Sequence, residues 1–234
     1  MYLDEFADTG KFGLDLHTNY VLSAQPGSVT QRMLRLTPEL SYGINEHWEA
    51  GLYGLSSVGP EQNGGRPVTD GVKVRAKWRP QAMTADSPWY GAINIELGQL
   101  AHRFYPDGSS GEVKFIGVYR QGAWTVGANL NIDRALKSRP SQPATSELDS
   151  KVAYRVPAAS EAGAELQIGL ENYAALGNLR PQLNPLTPPN RAVATFLVTD
   201  FSYRRWDFNV GLGRASRDAN DRWLLKAIIG VPLD

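Results

Sequence analysis

The sequence predicts an all-β chain closed into one antiparallel, up-and-down barrel of about twelve strands, and three observations predict it. Apolar and polar residues alternate with a period of two over segments of about ten residues. Each segment ends in turn chemistry of Gly, Pro, Asn, Asp or Ser. Tight and long connections then take turns along the chain.

Four segments set the frame. From Trp124 to Asp133, the residues Trp124, Val126, Ala128, Leu130 and Ile132 take one face, while Thr125, Gly127, Asn129, Asn131 and Asp133 take the other. Val72 to Arg79, Phe12 to His17 and Trp206 to Gly213 alternate as strictly. Filling in between them predicts strands at 11–24, 31–43, 47–58, 71–79, 89–101, 112–121, 123–134, 147–156, 164–175, 191–204, 206–216 and 222–233. The number is even, as single-chain bacterial membrane barrels require. Segments 112–121 and 191–204 carry apolar residues on both faces, and Pro38 interrupts the second strand, where it removes a ladder hydrogen bond.

The second, sixth and tenth connections are tight, at 43–46, 121–123 and 204–205. The third, fifth, seventh and ninth are longer and rich in Pro, Gly and Asn, at 59–69, 103–111, 136–146 and 176–190. Connections 80–88 and 157–163 fall on the short-turn side without being minimal, and the first connection on the long side is brief. Aromatic residues gather at the short-turn end. Trp48, Trp89, Trp124 and Trp206 open strands there and Trp78 closes one, with Phe12, Tyr42, Tyr119, Tyr154 and Tyr203 at comparable depth. Trp and Tyr favour a membrane–water interface, because the ring system is apolar at one end and hydrogen-bonds at the other. The barrel is therefore expected to span a membrane.

At this point the chain resembles the bacterial outer-membrane β-barrel proteins as a class, over nearly its whole length. Its size is similar to the twelve-stranded channels and enzymes among them. The resemblance implies short periplasmic turns, longer extracellular loops, and surroundings of outer-membrane lipid and lipopolysaccharide. It also implies one domain over 1–234, with 1–10 as a periplasmic N-terminal segment and both termini on that side. Such chains usually end in a terminal aromatic. Here the last strand keeps its alternation but ends Leu233-Asp234.

Composition narrows the function. Among 234 residues, 24 Lys and Arg balance 24 Asp and Glu, so no basic excess recruits nucleic acid, which is not expected as a partner. The absence of cysteine excludes disulfides, thiolate catalysis and thiolate metal ligation. A mean hydropathy slightly below zero does not argue against a barrel, since every second strand residue can be polar. No cofactor or metal site is expected: His17, His47 and His102 lie on distant segments without paired spacing.

With the apolar face toward lipid, the lumen receives Asp15, His17, Arg35, Glu39, Glu49, Lys73, Arg75, Lys77, Arg79, Glu96, Asp133, Lys151, Arg155, Glu165, Glu171, Asp207 and Lys226. Lys73, Arg75, Lys77 and Arg79 form a basic ladder on one face. It could guide an anionic solute along the wall, or pair with Glu39 and Glu49 on preceding strands and Glu96 on the next; both alternatives stand at this stage. An enzyme is not expected. A hydroxyl nucleophile needs a base in hydrogen-bond reach, and the neighbourhoods His17-Thr18-Asn19, His47-Trp48-Glu49 and His102-Arg103-Phe104 offer no His-x-Ser pair. The expected function is a passive channel for small polar or anionic solutes, with the loop 176–190, containing Pro181, Pro185, Pro188 and Pro189, folding over the mouth. The rivals are a non-conducting structural or docking barrel and, third, a lipid-modifying enzyme. The apolar outer wall leaves a homo-oligomer contact open.

Overall fold

The computed structural model describes residues 1, 3, 6–60, 63–82, 87–137, 140, 143–157, 165–179, 192–203, 205–216, 219–231 and 233. It contains the twelve strands that the alternation predicts. They are β1 (Phe12–Ala24), β2 (Leu34–Gly43), β3 (Trp48–Val58), β4 (Val68–Trp78), β5 (Trp89–Leu100) and β6 (Ser109–Gln121). There follow β7 (Trp124–Ala135), β8 (Ala144–Arg155), β9 (Glu165–Leu179), β10 (Val193–Tyr203), β11 (Trp206–Ala215) and β12 (Asp221–Val231). Each pairs antiparallel with its sequence neighbours, and β1 closes the barrel on β12 from Leu14↔Val231 to Ala24↔Asp221. Closure leaves no strand edge unpaired, which is what lets a sheet cross lipid.

Burial is inverted relative to a water-soluble fold. Leu197 is 60% exposed and stands outward, whereas Glu39, fully buried, faces in. Outward positions, such as Leu52 and Val74 on neighbouring strands or Ile168 and Leu170 along β9, form an apolar wall that only a hydrocarbon solvent satisfies.

The aromatic belt is built from cross-strand partners at the turn end. Trp48 pairs with Trp78, Trp89 with Tyr119, Trp124 with Tyr154 and Phe12 with Tyr42, at ring-centroid separations of 6.4, 4.2, 5.0 and 4.9 Å. Trp206 opens β11 opposite Tyr203 and stacks near Phe208 at 6.3 Å. The five tryptophans of the belt thus all stand at the turn ends of their strands.

Three departures from the expected boundaries have physical causes. The first long-side connection is not brief: β2 starts at Leu34, because Arg32 takes a positive φ of 58° and Met33 buries its side chain beside Gly59. At Pro38 the ladder to β3 lapses over Thr37 and Pro38 and resumes at Glu39, as a missing N–H requires. Strand β9 runs on to Leu179, pairing with Ala144 at the start of β8 past a register shift at Ser146/Glu147. The expected mouth loop 176–190 therefore begins as strand, and its prolines lie outside the described residues.

Candidate functional site

Alternation sends every second residue inward, and charged residues there must find partners inside the barrel. Arg75, on β4, lies between two carboxylates of preceding strands: its Nη2 is 2.5 Å from Glu39 Oε1 and 2.6 Å from Glu49 Oε1. Lys77 Nζ stands 3.8 Å from the same Glu49 oxygen, and His17 Nε2 3.0 Å from Glu39 Oε2. Gly51, the β3 residue opposite Arg75, leaves the space through which the arginine stem passes; a Cβ there would collide with it. Lys73, further toward the loops, is 3.0 Å from Glu96 Oε2 on β5. Arg79 lies past the end of β4, on the turn-side rim, where its Nε donates to Glu46 O at 2.6 Å and its guanidinium covers the Phe6 ring. Arg35 lies near the loop end of β2.

A second cluster occupies the opposite wall. Glu171 on β9 receives Lys151 at 3.3 Å, Lys226 from β12 and the Tyr173 hydroxyl at 2.7 Å. Lys151 also reaches Asp200 Oδ2 at 2.7 Å. The Met1 amino group lies 3.2 Å from Glu171 Oε2.

The first residues of the chain occupy the lumen near the turn end. Gly10 N donates to Gly43 O at 2.7 Å, and Ala7 N donates to Glu49. Leu3 and Met1 pack on Tyr90, Ala92, Ile116 and Val118, an apolar patch on the inner face of β5 and β6, with Gly127 leaving room for the Leu3 side chain. Beside this segment is a cavity of about 600 Å³. Among the described residues it is lined by six carboxylates (Asp8, Asp15, Glu49, Glu165, Asp200, Asp207) and six cationic side chains (Lys11, Arg75, Lys77, Arg120, Lys151, Arg205).

At the loop end the β5–β6 connection, 101–108, folds inward. Its Phe104 ring lies under the Arg35 guanidinium from β2, 5.6 Å from the ring centroid. Arg103 pairs with Asp70 of β4, and the Tyr105 hydroxyl donates to Asp133 of β7 at 2.7 Å. His102, rather than meeting a serine, has Nδ1 2.9 Å from Pro106 O.

No family model matches the chain, and no curated protein matches it. Solved structures do. The NanC porin aligns over 94% of this chain and 99% of its own, at 14% identity and a TM-score of 0.58. An outer-membrane channel from Pseudomonas putida F1 aligns over 97% and 96%, at 12% identity and a TM-score of 0.59. The β domain of the Bordetella autotransporter BrkA aligns over 95% and 98%, at 14% identity and a TM-score of 0.52. The fold is that of the outer-membrane β-barrels. At these identities the likeness extends to the fold alone, so the outer-membrane barrel's activity must be argued from its lumen.

Among the described residues, the inward charges that escaped the sequence reading include Asp70, Glu112, Lys114, Arg120, Glu147, Asp149 and Asp200. Glu112 and Lys114 share a face with Ile116 and Val118, whose apolar inner patch hid the alternation of β6. Glu147 and Asp149 share a face with Lys151 and were recoverable by running that period back through β8.

Proposed function

We propose that the protein is a narrow outer-membrane channel for the passive passage of small polar solutes, with its short turns toward the periplasm and its loops outside. The observation that carries this reading is the pairing of a closed, lipid-facing barrel with a lumen that is charged and holds a cavity of about 600 Å³. The N-terminal segment narrows the lumen at one end and the 101–108 connection narrows it at the other. The outer-membrane channel from Pseudomonas putida F1 and the NanC porin align with this fold over nearly their whole length, which agrees with the reading.

Planar-bilayer recording tests it. Folded protein, verified by a shift in electrophoretic mobility on heating, is expected to give small, discrete current steps. Silent bilayers containing folded protein would overturn the channel.

The buried pairs at Arg75 and Glu171 support a second reading, a non-conducting barrel that serves as a structural or docking element. The same recording separates the two, since that reading requires silence at every voltage.

A further inference from the structure

The fixed charge of the lumen is unevenly placed. On the loop-side half of the inner wall, strands β5 to β8 present Glu96, Glu112, Asp133, Glu147 and Asp149. Among the described residues, the cations that face it are Lys73, on neighbouring β4, and Lys114, on β6. Lys73 lies 3.0 Å from Glu96, and Lys114 Nζ lies 3.2 Å from Glu112 Oε1. Two of the other carboxylates rest on neutral donors. Asn131 Nδ2 donates to Asp149 Oδ2 at 2.9 Å, and the Tyr105 hydroxyl donates to Asp133. Glu147 stands exposed two residues along β8 from Asp149, on the same face.

The surrounding charges do not redress this imbalance. Arg103 is matched by Asp70, Lys137 stands 3.7 Å from Asp107, and Arg35 sits on the far wall against Phe104. A second, independent feature points the same way: Asn94 Oδ1, Asn131 Oδ1 and Asp149 Oδ1 are buried acceptors that receive no hydrogen bond. Acceptors without donors, beside carboxylates that outnumber cations, are complementary to a mobile positive charge.

We propose, resting on the channel reading above, that this wall makes the channel cation-selective and that small monovalent cations, organic ammonium groups included, are its favoured solutes. Low-dielectric walls focus the field of the excess carboxylates into the lumen, raising the local concentration of cations and lowering that of anions. The basic ladder does not oppose this, because Lys73, Arg75 and Lys77 each lie against a carboxylate. An ammonium group carries three N–H donors, which suits the orphan oxygens better than a bare ion does.

Reversal potentials across a potassium chloride gradient test the proposal. Wild-type channels are expected to reverse on the cation side. The Glu147→Gln/Asp149→Asn double variant is expected to lower the cation-to-anion permeability ratio by at least about twofold. Glu46→Gln, in an exposed turn outside the lumen, should leave the ratio unchanged. If Asp149→Asn prevents assembly, Glu147→Gln alone, at an exposed position, carries the test with a smaller shift in the same direction. Absence of current overturns the channel reading itself. Current that reverses at zero or on the anion side, or a ratio that the variants leave untouched, overturns the selectivity and leaves the channel standing.

Discussion

On the turn side of the lumen Arg75 lies between Glu39 and Glu49, while Lys151 and Lys226 converge on Glu171. On the loop side Asp149 and Asp133 rest on an asparagine and a tyrosine, and Glu147 stands exposed beside them. The two regions use the same kind of side chain differently. A carboxylate clamped by a guanidinium has its field cancelled locally and serves to hold strands in register. One held by a neutral donor keeps its negative charge available to whatever enters the lumen. Partnering, more than composition, separates the two halves of this lumen.

The strongest way to break the comparison is at Arg75. Replacing it by Met leaves Glu39 and Glu49 buried without their shared counter-charge, and a loss of about 3–5 kcal/mol of stability is expected. Urea unfolding in lipid vesicles, followed by tryptophan fluorescence, measures it. Adding Glu39→Gln and Glu49→Gln to Arg75→Met should recover most of that loss, since it removes the stranded charges. A cost below about 1 kcal/mol for the single variant would mean that water already serves the turn-side carboxylates, and the two halves would no longer differ in kind.

The loop side is expected to respond more gently. Tyr105→Phe removes the hydroxyl that docks the 101–108 connection on Asp133, for an expected loss of about 1–2 kcal/mol in the docking of that loop. Burial of the phenol, and then its hydrogen bond to Asp133, hold the Tyr105 pKa above its ordinary value. The sign follows from linkage. The undocked loop ionises once pH passes the ordinary tyrosine value of about 10, while the docked loop keeps its proton, so docking is intact below that pH and weakens above it. Hydrogen exchange over 101–108 should rise with pH beyond the intrinsic rate increase in the wild type, and Tyr105→Phe should lack this extra rise.

Much of this architecture was legible because a barrel wall is periodic. The strict alternation of β4 and β7 assigned Lys73, Arg75 and Lys77 to one face, and the structure places them inward. Glu49 and Glu96 stand within reach on β3 and β5, the strands that the order of the chain puts beside β4, and Glu39 on β2, one strand further. What lay hidden breaks that period. Ile116 and Val118 are apolar and inward because they receive Leu3 and Met1, and Phe196 is inward because it packs on Tyr173. The inward fold of 101–108 has no period at all: it depends on Phe104 reaching Arg35 on β2, a contact between residues far apart in sequence. Glu96 and Asp133 of the acidic wall were legible, and Glu147 and Asp149 could have been, since both lie within the expected strand 147–156 on the face of Lys151.

A smaller effect is expected outside the lumen, where neither half's charges act. Trp89, 69% exposed, packs its ring 4.2 Å from Tyr119 at the turn-side belt. Trp89→Ala should cost about 0.5–1 kcal/mol in vesicles, the value of an aromatic pair at an interface, and should leave the reversal potential unchanged. A selectivity change from this position would show that the belt and the lumen wall are mechanically coupled.

The smallest predicted effect on stability is the most informative about the loop side. Glu147→Gln keeps the side chain's length and hydrogen-bonding capacity and removes one charge from a strand face that already carries Asp149. On the turn side, deleting a charge strands its partners. At Glu147 the change relieves repulsion between neighbours of like sign, and the position is exposed. The expected change in unfolding free energy therefore lies within about 0.5 kcal/mol of zero, a small gain included. A loss comparable to that of Arg75→Met would place Glu147 in a structural ion pair, and the loop-side wall would then be a second clamp rather than a surface open to the lumen.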